Sequence, residues 1–94
     1  MEKTPRYKVL VSDRARHMLA AHVHFLAEKS PEAARRTKNE LMAAIRSLAH
    51  MPERFPFFIA EFVPPNKYHK MVVEKWHLVL YQIKDRTVYV TTDS

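Results

Sequence analysis

Ninety-four residues carry sixteen Lys and Arg against ten Asp and Glu, a net charge of +6, with no cysteine and no glycine. That length supports one small domain, residues 1–94, around a single modest core. The missing cysteines exclude a disulfide framework or thiolate zinc site, and the missing glycines a glycine-rich phosphate loop. The basic balance points to a polyanion or an acidic protein as partner.

The opening MEKTPRYKVLVSD has no apolar run long enough for a secretory signal, and no stretch of the chain reads as a membrane span. A cytoplasmic protein is the expectation. Tyr7-Lys8-Val9-Leu10-Val11 is short and β-prone, and reads as the first strand. Ser12 or Asp13 then caps a helix reaching about Lys29. Projected at about 100° per residue, Ala15, Met18, Leu19, His22, Phe25 and Leu26 share its apolar face.

Ser30-Pro31-Glu32 is the sharpest local signal. Serine caps, proline takes the first helical position, and glutamate complements the helix dipole. The second helix is predicted to run to about Ala49, with Ala34, Thr37, Leu41, Ala44, Ile45 and Leu48 as its buried stripe. Two amphipathic helices joined so closely form an antiparallel hairpin, which Pro52 stops. From Met51 to Asn66, prolines 52, 56, 64 and 65 alternate with Phe55, Phe57, Phe58, Ile59, Phe62 and Val63. That composition describes a loop packed on the body, or else a partner-binding surface.

Strands follow at about 67–73, 76–83 and 87–92, separated by the hairpin-length turns Glu74-Lys75 and Lys84-Asp85-Arg86. In a chain without glycine, such turns must be built from Pro, Asn, Asp and Lys. The order β-α-α-β-β-β defines an α+β fold. An antiparallel helix hairpin covers one face of a small, mainly antiparallel sheet and leaves the other face free for function. Both faces of the strand at 76–83 are apolar, as for a central strand, and the pattern does not say which face meets the core.

Six histidines raise the possibility of a metal, but His17, His22 and His24 lack the three- or four-residue spacing of helical ligands. His22 reads as a core residue. Lys67, His69, Lys70 and His77, interleaved with Tyr68, Trp76 and Tyr81, invite a different chemistry. Metal-free RNA cleavage needs a base for the 2′-OH, cations for the phosphorane and an acid for the leaving oxygen, and histidine serves either proton role. From spacing alone, a solvated sheet edge with core aromatics is the better reading of these residues.

Three passages resemble the RelE/ParE superfamily of type II toxins. YKVLVSDRARHMLAAHVHFLAEKSPEAARR is similar to the family's first strand, first helix and serine-proline-glutamate junction; LMAAIRSLAHMPERFP to the close of its second helix; HKMVVEKWHLVLYQIKDRTVYV to its final strands. The resemblance implies a small basic toxin neutralised by an antitoxin that wraps around it. One branch of the family cleaves messenger RNA in the ribosomal A site, and another inhibits DNA gyrase by binding it. His69-Lys70 falls where the family often carries a basic pair, Tyr81 where a structural tyrosine closes the third strand, and Leu78 where many members have arginine.

The resemblance therefore implies first a ribosome-dependent messenger endoribonuclease, with His69, Lys70 and His77 catalytic and Lys67, Tyr68 and Arg86 contacting RNA. No metal or cofactor is expected. The alternatives are a ParE-like gyrase inhibitor, or a shortened toxin that keeps antitoxin binding without activity, because Val90 is followed only by Thr91-Thr92-Asp93-Ser94.

Overall fold

Each helix begins where a serine hydroxyl replaces a missing backbone partner. In the computed structural model, which describes residues 6–73 and 77–93, the Ser12 hydroxyl accepts from the Ala15 N–H at 3.0 Å and opens α1, Asp13–Lys29. The Ser30 hydroxyl accepts from the Ala33 N–H at 3.2 Å and opens α2, Pro31–Ser47. Ser30 also ends α1, its own N–H donating to the Leu26 carbonyl at 2.8 Å, so the hairpin pivots on one residue. The predicted stripe of α2 is the one that packs: Ala34, Thr37, Leu41, Ile45 and Leu48 are buried and Ala44 half-buried.

The first helix departs from its projection. Met18, Leu19, His22 and Leu26 are half-buried, but Phe25 is 56% exposed. Ala15 is the buried residue of α1, which lies against α2 and the last strand and buries its N-terminal end most deeply. The Phe25 ring sits instead under the Lys29 ammonium, 5.2 Å away.

The strands are β1 Lys8–Val11, β2 His69–Val73, β3 His77–Lys84 and β4 Thr87–Asp93, arranged β1-β4-β3-β2. Between β1 and β4 the pairing is parallel, Lys8 opposite Thr87, with the helix hairpin as the crossover. The other two pairings are antiparallel, so the sheet is mixed and β3 is internal, as its two apolar faces require. Val79, Tyr81, Val88, Val90, Met71 and Val73 face the helices and form the core with Leu41, Ile45 and Leu48. Leu10, Tyr89, Leu80, Val72 and Lys70 alternate with them and line the uncovered face. Lys67 and Tyr68 precede β2 rather than opening it, and Glu74-Lys75-Trp76 lie outside the described residues.

Among the described residues, three with positive φ do the work of glycine: Met51 at 48°, Asn66 at 60° and Asp85 at 56°. Asn and Asp tolerate this conformation, whereas methionine gains nothing locally and its strain is about 1–2 kcal/mol. Arg54 offsets it. Its guanidinium donates to the carbonyls of Ser47, His50 and Met51 and to the Ser47 hydroxyl, closing the exposed carbonyl end of α2. Met51 and Asn66 thus bracket the long loop before β2, which begins with a 3-10 turn at Pro52–Arg54.

Candidate functional site

The ladder between β2 and β3 decides where the strand residues point. His69 pairs with Tyr81, Met71 with Val79 and Val73 with His77, all on the helix side. Lys70 pairs with Leu80 and points to the open face. His69 and His77 stand four rows apart, about 14 Å along the strands at ~3.4 Å per residue.

His69 is 8% exposed. Its Nδ1 lies 2.7 Å from the Phe55 carbonyl, which can only accept, so the proton sits on Nδ1. Its ring is stacked between Phe57, at 4.3 Å, and Tyr81, at 5.2 Å between centroids. The Tyr81 hydroxyl donates to the Pro52 carbonyl at 2.6 Å, and burial pushes the phenol up to about 12. His69 and Tyr81 therefore clamp the start of the long loop to the sheet. Tyr7 adds an exposed tie, donating to the Glu53 carboxylate at 2.7 Å; that bond raises the phenol and lowers the carboxyl.

At the other end of the hairpin, His77 is 7% exposed and meets the edge of the His22 ring, 5.0 Å between centroids at 84°. Its Nδ1 has no hydrogen-bond partner among the described residues. Lys67 lies over the Tyr68 ring at 5.4 Å, and Arg86 occupies the exposed β3–β4 turn. Lys67, Tyr68 and Arg86 thus gather toward one end of the sheet with His69, while His77 lies at the other and Lys70 on the opposite face. Among the described residues no cluster of three or more His, Asp or Glu is placed to hold a metal.

A concave surface along the helix hairpin involves none of these. Two hollows of about 470 and 440 Å³ join at Arg16 and Leu19. One lies along β1 against Met42, Ile45 and Arg46; the other follows the hairpin past Ala20, Val23 and Ala27 to Lys38. Its floor is apolar and its rim basic, a form that accepts an amphipathic segment with acidic residues at its margins. Sequence reasoning missed it because its walls come from three separate elements. The available signal is Arg16, a basic residue next to the apolar face of α1 that lines both hollows.

The fold that carries this groove is a helix hairpin on a four-stranded mixed sheet with the order β-α-α-β-β-β. The family model of the ParE toxin of the type II toxin–antitoxin system parDE matches residues 9–92, and the chain belongs to that family. A solved structure of the chromosomal ParDE toxin–antitoxin system from P. aeruginosa shares the fold. It has a TM-score of 0.76 over 95% of each chain at 15% identity. No curated protein matches the chain in sequence. No helix among the described residues is long and apolar enough to cross a membrane.

Proposed function

We propose that this ParE-family toxin acts by binding DNA gyrase in the cytoplasm, and is not a messenger ribonuclease. The observation that carries this reading is the engagement of the strand histidines. His69 holds the Phe55 carbonyl inside an aromatic stack, His77 is packed against His22, and Lys70 points away from both. In-line cleavage needs base, acid and cation around one phosphate, and these three side chains do not surround a common point. The protein then works by surface complementarity, and no residue is assigned a catalytic step.

Neutralisation fits the groove. An antitoxin segment with an apolar face would lie on Leu19, Met42 and Ile45, its acidic margins meeting Arg16, Lys38 and Arg46. The net charge of +6 would speed that encounter.

The test is a supercoiling assay with purified gyrase beside primer extension on messenger RNA from induced cells. Inhibited supercoiling with intact transcripts supports the proposal, and replacing both histidines with packing-compatible residues should leave inhibition in place. Ribosome-dependent cleavage abolished by Lys70→Ala would overturn it and restore the nuclease reading of Lys67, Tyr68, His69, Lys70, His77 and Arg86.

A further inference from the structure

The long loop presents its apolar residues in two contrasting ways. Phe55 and Phe58 are half-buried, whereas Ile59 is 85% and Phe62 93% exposed. Side chains of this size normally leave water when the chain folds, and two of them projecting from one short turn form an unpartnered apolar tip. The tip is not a loose end. The Val63 N–H donates to the Ala60 carbonyl at 3.2 Å, closing the turn, and Phe58 N–H donates to the Tyr68 carbonyl at 2.6 Å. Lys70 N–H donates to the Pro56 carbonyl at 2.9 Å, and Phe57 bridges to His69. Phe57, two residues before Ile59, stacks on His69, which stacks in turn on Tyr81. A held apolar tip has already lost much of the freedom that binding would otherwise remove, which favours a role as an anchor.

Its position separates it from the groove. The loop borders β2, one edge of the sheet, and the groove borders β1, the other edge. We infer that Ile59 and Phe62 are the anchor by which the toxin seats itself on its target, inserting into an apolar pocket of an acidic folded protein. The antitoxin holds a different surface.

The chemistry selects that partner. A convex apolar tip is best received by a concave apolar pocket, the form of site that a folded protein offers. The ionised group between the two anchors is Glu61, which repels the phosphates that nucleic acid and an anionic bilayer present throughout. An acidic protein can instead offer an uncharged apolar pocket with its carboxylates farther out, against the toxin's basic surface. A second copy brings another +6 and is repelled over the whole surface, whereas an acidic protein is attracted. The name of the partner rests on the gyrase reading above; the role of the tip is judged on toxicity itself.

The experiment compares the full chain with an Ile59→Asp, Phe62→Asp variant and with a milder Ile59→Ser, Phe62→Ser variant. The readouts are growth arrest on induction, inhibition of purified gyrase, and affinity for purified cognate antitoxin. Both pairs alter side chains that already face water, and an unchanged urea midpoint verifies folding. Growth arrest should disappear, the concentration that half-inhibits gyrase should rise at least 100-fold for the Asp pair, and antitoxin affinity should stay within threefold. Persisting arrest in the folded Asp variant overturns the inference. So does a parallel loss of antitoxin affinity, which would place the tip in the antitoxin interface, or a wild-type dimer in sedimentation that the Asp pair dissolves. If the wild type arrests growth without inhibiting gyrase, the gyrase reading fails; loss or persistence of arrest in the variants still decides for or against the tip.

Discussion

Tyr81→Phe isolates one hydroxyl, because the ring and its stack on His69 remain and only the bond to the Pro52 carbonyl is lost. An ordinary intramolecular hydrogen bond contributes about 1 kcal/mol net, and a buried carbonyl left without a donor costs about 1–3 kcal/mol. Both Tyr81 and Pro52 are fully buried, so water does not replace the donor without a rearrangement. The expected loss is about 1–3 kcal/mol at pH 8, a fall in Tm of roughly 5–15 °C for a domain of this length. A second readout fixes the cause. The phenol titrates near 10 in an unfolded chain and is pushed up to about 12 in the fold. A raised folded value means the contribution is complete below pH 10 and disappears as pH rises through 12, because the unfolded chain gives up its proton first. Urea unfolding of both proteins from pH 8 to 12 should show the wild type losing up to about 2–3 kcal/mol more than Tyr81→Phe across that window. Equal stability at pH 8, or parallel alkaline limbs, would refute the claim that this hydroxyl pins the loop.

Replacing His77 with leucine should leave stability unchanged or raise it slightly in urea titration, since it exchanges an unpartnered buried nitrogen for an apolar group. Toxicity should persist; its loss with folding intact would return His77 to a catalytic role. Ser30→Ala should cost about 1 kcal/mol by thermal unfolding, because it removes the cap that opens α2. Arg16→Glu inverts a charge shared by both halves of the groove, and calorimetry should find antitoxin affinity about 10-fold weaker or worse, most clearly at low salt, with gyrase inhibition retained.

Local signals in the sequence proved faithful. The two serine caps, proline at the start of α2 and the 3.6-residue stripe of that helix are short-range facts, and Asp85 and Asn66 supply turns in the absence of glycine. Fold class and family followed from their order. Less was legible where pairing is distant. β3 is apolar on both sides, so no alternation could tell whether Val79 and Tyr81 or Leu78 and Leu80 met the helices. Phe25 fits the stripe of α1 but lies where that helix buries little. The candidate site suffered most from this. Period-two alternation already turns His69 and Lys70 to opposite faces, but the distance between His69 and His77 depends on the β2–β3 register, which no local signal fixes. Met51 gave no sign of a positive φ, because the guanidinium that holds its turn comes from Arg54.

The parallel partnership of β1 and β4 has a consequence for synthesis. Ser12 at the end of β1 and Thr91 in β4, which bond at 3.3 Å, are 79 residues apart, and β4 fills the sheet between β1 and β3. A nascent chain can form the helix hairpin early, but β1 has no strand to lie against, and Val88 and Val90 are missing from the core, until β4 emerges. Partial products are therefore expected to stay open and open to proteolysis, with apolar surface exposed. A host that interrupts translation anywhere before β4 would release a degradable fragment rather than a weakened poison.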